Sequence, residues 1–361
     1  MKRMKGLLCV FLAVMMIMPL CCIDVFADEN SDVNDEDKGK ISSMVVFGDS
    51  ISAGFRLEGY DRNDNSKPKD CFSNILCEHY GLEYGKSFFN YSTTGDASGQ
   101  TLEKIKNTDP AIIKNADVII ISVGGNDVID AIEIALYQAI IDETENFNKL
   151  GIKTDFSNPV ASEGTVLNVL TDPRAKEPLG RVIQKCNESS VQNSFSDTVL
   201  KYEANIKEIV AYIRETDSDA EIFLVTPYDP TSMITGNSIV ESINKMLTDI
   251  KQKSSELAES NEYGYGLNVV DLLTEFKDNT LVWTNALTFD IHPNKDGHQH
   301  ISEMLIKEIN DSLDKKEIAN QAKSDKQAPY SDTVVYIIFG IACASVAAIV
   351  IHTLVTHKKK S

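Results

Sequence analysis

The sequence predicts an α/β fold, a three-layer sandwich around a five-stranded parallel sheet. Three observations lead there. Five short apolar runs recur along the chain, and a segment of helical periodicity follows each of them. The strongest run, Val118-Ile119-Ile120-Ile121-Ser122-Val123, is an unbroken β-branched stretch of the kind found in strands covered on both faces. Three polar segments, Gly48–Ser52, Asn90–Asp96 and Gly124–Asp127, directly follow three of the runs. That places them beyond the carboxyl ends of the strands, where ligands bind in open α/β sheets.

The elements follow in order. Met44-Val45-Val46-Phe47 reads as a short buried strand ending in Gly48, and residues 70–80 as a helix. Phe88-Phe89-Asn90-Tyr91 is the second strand, followed by a helix over 99–107. After the 118–123 strand, residues 127–148 are helical, with Val128, Ile129, Ile132, Ala135, Leu136, Ala139 and Ile140 on one face. A helix over about 197–216, the strand Ile222-Phe223-Leu224-Val225 and a helix near 238–258 come next. Leu267-Asn268-Val269-Val270 is the last strand, and 296–313 the closing helix. Residues 150–195 break this rhythm, with Pro159, Pro173, Pro178, Gly164 and Gly180 and few periodic apolar positions. A connection so long is expected to be functional or disordered, and a lid or wall over Ser50 that sets acyl length is the working expectation.

The two ends bear on the compartment. Residues 1–27 carry a basic start (Lys2, Arg3, Lys5), an apolar run from Leu7 to Leu20 and a Val25-Phe26-Ala27 site, the layout of a secretory signal peptide. An uncleaved N-terminal anchor is the alternative. Residues 28–42 form an acidic linker expected to be disordered, and 315–332 a second polar stretch. Residues 333–355 carry no charge and are long enough to span a bilayer as a transmembrane helix. The basic tail 356–361 then stays inside and the domain, 43–314, outside. This looks like a single-span surface protein of a Gram-positive bacterium. Of the net charge of −19, the first 27 residues contribute +2 and the tail +3, so 28–332 carries −24. Such a body repels phosphate backbones, which argues against a nucleic-acid partner. The oligomeric state is open. Of seven cysteines, only Cys71, Cys77 and Cys186 lie in the body, an odd count that argues for buried thiols over a disulfide framework.

The chemistry concentrates at the sheet edge. Ser50, at the end of the first strand, needs a base to become a nucleophile. His292, in Asp290-Ile291-His292-Pro293 after the last strand, is the best-placed histidine. Asn126 can turn its side-chain amide toward a developing oxyanion, and Gly95 lets backbone N–H approach a substrate without a Cβ in the way. His79, His298 and His300 read as helix residues without a catalytic part. Neither a paired-cysteine zinc motif nor a phosphate-binding glycine loop is present.

Ser50, Gly95, Asn126 and His292 occur in the order and context of the four blocks that name the SGNH hydrolases, or GDSL esterases/lipases. Over roughly 43–314 the chain resembles that family. The resemblance implies a flavodoxin-like sheet and an esterase with Ser50 as nucleophile and His292 as general base. It also implies an oxyanion hole from the Ser50 N–H, the Gly95 N–H and the Asn126 side chain, and no metal or organic cofactor. The substrate would be a lipid ester, a lysophospholipid or an acetylated polysaccharide. In one respect the chain departs from the pattern. The family's aspartate stands three residues before the histidine, where this chain has Phe289, and Asp290 stands two before. Either Asp290 or a backbone carbonyl then orients His292. A surface binding module on the same scaffold and an acyltransferase using the same serine are the alternative functions.

Overall fold

The structure is a computed structural model. It describes residues 37–327, apart from 64–66, 158–164, 167, 170, 217, 233, 235–236, 261, 265 and 289. The expected signal peptide, the transmembrane segment 333–355 and the basic tail lie outside the described residues. Among the described residues, no helix is long and apolar enough to cross a membrane.

Five strands form one parallel sheet: β1 (Met44–Gly48), β2 (Phe88–Asn90), β3 (Val118–Ser122), β4 (Glu221–Val225) and β5 (Leu267–Val270). Their spatial order is β2-β1-β3-β4-β5, so the direction of winding reverses at β1. Gly48 lies in register with Ser122, and Ser122 with Val225. The carboxyl ends of the three central strands are therefore level. Among the described residues the longer helices are α1 (Phe72–His79), α2 (Ser98–Asn107), α3 (Gly125–Asp142), α4 (Lys176–Cys186), α5 (Ser189–Glu215), α6 (Ser238–Glu259) and α7 (Lys295–Gln327).

The pleat sends alternate residues to opposite faces. Val45, Phe47, Ile119, Ile121, Ile222 and Leu224 join one buried core with α2, α3, α5 and α6. Met44, Val46, Ile120 and Phe223 are equally buried and face the other layer. There α1 and α7 meet, the Phe72 N–H donating to His298 Nδ1 at 3.3 Å. Each such aliphatic or aromatic side chain contributes about 1.5–3 kcal/mol on burial, which is why the strand runs are apolar on both sides.

Three expectations need correction. Within 150–195, Lys176–Cys186 forms α4, and α5 begins at Ser189, well before 197. Pro178 falls in the first turn of α4, where a missing N–H costs nothing, and Leu179, Val182, Ile183 and Cys186 form an apolar stripe on it. Pro173 and Pro178 mark helix starts here. The acidic linker is ordered from Asp37. That carboxylate is buried and accepts from His79 Nε2 at 2.7 Å and Asn310 Nδ2 at 2.9 Å, with Lys40 Nζ at 2.8 Å. Burial raises its pKa, but these donors outweigh burial and hold it at about 2. The last helix outruns 313 and continues to Gln327, because residues 311–327 contain neither glycine nor proline and include several strong helix formers, Lys315, Lys316, Glu317, Ala319 and Gln321 among them. The main compact unit closes at Asn310, and a second unit begins at Asp311.

Candidate active site

Ser50 stands two residues past the end of β1 and sits in a tight turn. The Phe55 N–H donates to Ser50 O at 3.0 Å and the Ala53 N–H to Asp49 O at 3.0 Å. The turn needs Gly48 beneath it: a Cβ there would stand 2.5 Å from Ser52 Oγ and 2.8 Å from Ser122 O. Buried donors fix the turn from behind. Ser52 O accepts from Asn90 Nδ2 at 2.9 Å and Ser73 Oγ at 3.2 Å. Ser50 therefore stands on a rigid element, 8% exposed.

His292 comes from the other end of the chain, in the loop before α7. Its Nε2 lies 3.0 Å from Ser50 Oγ, and its Nδ1 lies 2.5 Å from Asp290 Oδ1. A carboxylate at Nδ1 calls for a proton there, which leaves Nε2 of the neutral ring to accept from the serine hydroxyl. The aspartate two residues before the histidine reaches it through an Asx turn, its Oδ1 also accepting the His292 N–H at 3.1 Å. Of the two alternatives for orienting His292, the structure has the carboxylate. Burial raises the Asp290 pKa, but hydrogen bonds from His292 and the charges of His292 and Arg56 outweigh burial and hold it below the usual carboxylate range.

The loop is clamped from two further sides. Tyr228, after β4, donates its hydroxyl to Ile291 O. Phe55 packs edge-on against the His292 ring, with 4.8 Å between centroids.

The remaining two positions come from the loops after β2 and β3. Gly95 has φ +88° in a turn closed by the Asp96 N–H donating to Thr93 O at 3.1 Å, a conformation that favours glycine. Asn126 lies in the first turn of α3, and its Nδ2 donates to Asp96 O at 3.0 Å and Asp49 Oδ2 at 3.2 Å. Asp127 joins the same two loops, accepting from the Ser98 N–H at 2.9 Å and Ser98 Oγ at 2.6 Å. Burial pushes the Asp49 carboxyl up to about 7, with the nearby Asp96 and Asp127 adding to the effect.

A cleft opens beside Ser50 and His292. Its empty space is about 780 Å³, the open mouth included. Val128, Ile129 and Ile132 of α3 face Ile243 and Leu247 of α6 across it. No described residue of 150–195 lines it. That segment instead carries α4, which packs with α3 in the same core.

Sequence reasoning singled out Ser50, Gly95, Asn126, Asp290 and His292, and the structure gathers all five at the carboxyl edge of the sheet. It missed Phe55, Arg56, Tyr228 and the carboxylates Asp49 and Asp127. Asp49 and Asp127 lie inside the quoted motifs and were visible as neighbours. Phe55, Arg56 and Tyr228 carry no local signal. Among the described residues, no cluster of His, Cys, Asp and Glu could hold a metal ion.

Comparison with known proteins gives three kinds of likeness. YpmR of Bacillus subtilis (strain 168), an uncharacterised protein, is 22% identical over 221 residues. The match takes in 61% of this chain and 65% of that protein, just under two thirds of the relative's length. Among solved structures, an extracellular lipase from Streptomyces rimosus is similar at 16% identity and a TM-score of 0.47, over 74% of this chain and 99% of that one. A catalytic mutant of an acetylxylan esterase from Geobacillus stearothermophilus is similar at 14% identity and a TM-score of 0.42, over 75% of this chain and 94% of that one. The sequence profile of the GDSL-like lipase/acylhydrolase family matches residues 46–300, from inside β1 to the first turns of α7. With most of its length under that match, the chain belongs to the GDSL-like lipase/acylhydrolase family.

Proposed function

We propose that the protein hydrolyses carboxylic esters through an acyl-enzyme on Ser50. The observation that carries this reading is the relay of contacts Ser50 Oγ–His292 Nε2 at 3.0 Å and His292 Nδ1–Asp290 Oδ1 at 2.5 Å. His292 takes the serine proton as Oγ attacks the carbonyl carbon, and Asp290 stabilises the imidazolium that results. The tetrahedral oxyanion is met by the N–H groups of Ser50 and Gly95 and by Asn126 Nδ2, which gives up one of its two present acceptors to do so. Collapse returns the proton through His292 to the leaving alcohol. A water activated by the same imidazole then releases the acid and frees Ser50.

The cleft supports an acyl group larger than acetyl. Its walls beside the nucleophile are aliphatic, so each methylene that enters them contributes about 0.8 kcal/mol of binding. A lipid or other apolar acyl ester fits this lining better than an acetylated glycan. We place the reaction outside the cell, with the chain held at the membrane. That placement rests on the basic-apolar start of the sequence and the uncharged run 333–355.

The test is a ladder of p-nitrophenyl esters from acetate to palmitate, read beside fluorophosphonate labelling of the wild type and Ser50→Ala. The reading expects labelling at Ser50, lost in the variant, and kcat/KM rising from acetate into the medium chains. An unlabelled wild type would end it, and a preference for acetate would remove the apolar acyl group.

A further inference from the structure

Asp290 presents two carboxylate oxygens, and His292 uses only one. Oδ1 takes both the imidazole Nδ1–H and the backbone N–H of His292. Oδ2 faces Arg56, whose Nε lies 2.9 Å away. Arg56 comes from the nucleophile's own turn, six residues after Ser50. It has φ +75°, one of two described non-glycine residues in the left-handed region. A bulky side chain in that region persists only where its surroundings demand it. The guanidinium also lies over the Phe55 ring, 5.1 Å from the centroid, while Phe55 packs against His292. One short turn thus carries the nucleophile, the ring against the imidazole and the cation on the far oxygen of Asp290.

We propose that Arg56 is a positioning residue for the Asp290–His292 pair, locking the rotation of the carboxylate so that Oδ1 stays on Nδ1. This inference rests on the esterase reading of the site. The reason for the device lies in the spacing. An aspartate two residues before the histidine is held by a tight Asx turn. Within that turn the carboxylate can rotate about its last side-chain bond and exchange its two oxygens. The exchange is prevented by a planar donor on the outer oxygen, to which an arginine is better matched than a lysine. The groups that face Asp290 are then His292 from its own loop, Arg56 from the turn after β1 and Tyr228 from the loop after β4. Arg56 is the permanent cation of the three.

Substitutions can separate the cation from the unusual backbone. Glycine adopts φ +75° freely, so Arg56→Gly keeps the turn and removes only the guanidinium. Arg56→Lys keeps a charge and loses the planar donor. The expected result for Arg56→Gly is a roughly 10- to 100-fold fall in kcat, smaller than the loss of the carboxylate itself, with KM within about twofold. The acid limb of its kcat/KM profile moves to higher pH by roughly half a unit, because no cation opposes protonation of the pair and the exposed guanidinium was already partly screened. Arg56→Lys recovers part of the loss.

A second readout needs no turnover. The downfield proton resonance of the His292 Nδ1–H, seen in the wild type and assigned by its loss in His292→Gln, broadens or moves upfield in Arg56→Gly. Wild-type kcat and an unmoved resonance in Arg56→Gly would overturn the proposal. A wild type that shows the resonance and its dependence on Arg56, yet neither turns over esters nor takes fluorophosphonate, would overturn the esterase reading and leave the positioning role standing.

Discussion

The loop that carries His292 and the loops that carry Gly95 and Asn126 are both braced by aspartates, but the two regions treat charge in opposite ways. Asp290 has a cation on one oxygen and an imidazole on the other, and is held below the usual carboxylate range despite its burial. Asp49, behind Asn126, is buried with acidic neighbours and is pushed up to about 7. Asp127 is likewise raised by burial. The difference matches the reaction proposed. Positive charge grows on His292 in the transition state, and a fixed anion beside it helps. Negative charge grows near Asn126, and a fixed anion there would oppose it. A carboxyl kept neutral can brace the donor without that penalty.

The comparison breaks most visibly at its charged end. Asp290→Asn keeps the shape and removes the anion, and kcat should fall about 10³- to 10⁴-fold while the fold survives. A single-turnover assay with a p-nitrophenyl ester measures it. A fall of less than tenfold would mean that the anion is not what supports His292. The neutral end sharpens next. Above pH 7 the wild type acquires a charge at Asp49 beside the oxyanion, so kcat should decline there by roughly tenfold. Asp49→Asn cannot ionise, and its profile should stay flat to pH 9. Identical alkaline limbs in the two proteins would remove Asp49 from the argument.

The same carboxyl predicts a smaller effect on stability. Its pKa is about 7 in the folded protein against the ordinary 3.8 of an exposed aspartate, so the folded state holds the proton more tightly than the unfolded chain does. Its stabilising contribution is complete below pH 4 and drains away as pH rises to 7. Asp49→Asn should therefore raise Tm by a few degrees more at pH 8 than at pH 5, measured by calorimetry. The smallest change concerns neither charge. Ile132→Phe narrows the apolar cleft between α3 and α6, and should cut kcat/KM for long-chain esters about 10-fold more than for acetate.

Much of this was legible in the sequence, for identifiable reasons. The five strands announced themselves because both faces of the sheet are covered, which forces continuous apolar runs such as Val118–Val123. Ser50, Gly95, Asn126 and His292 could be read because each follows a strand or precedes the last helix, where local pattern fixes position. What escaped notice depended on contacts between distant segments. Nothing near Arg56 says that it will meet Asp290, 234 residues later, and a positive φ at an arginine has no sequence signature. The helix α4 was hidden because Pro173 and Pro178 look like breakers until they are seen at helix starts. The Asx turn explains why the shifted aspartate still reaches the imidazole: two residues suffice when the backbone N–H joins the same oxygen.

The buried contact of Asp37 with His79 and Asn310 has a geometric consequence. His79 ends the helix that leads back to the start of β2, and Asn310 lies about 22 Å along α7 from its origin at the rim. Both therefore mark the base of the sheet, whereas Ser50 stands at the opposite pole. A support coupled to the chain ahead of residue 37 would leave the contact intact and the site facing away from it, so that immobilised protein should keep access to bulky esters where random attachment through surface lysines would not.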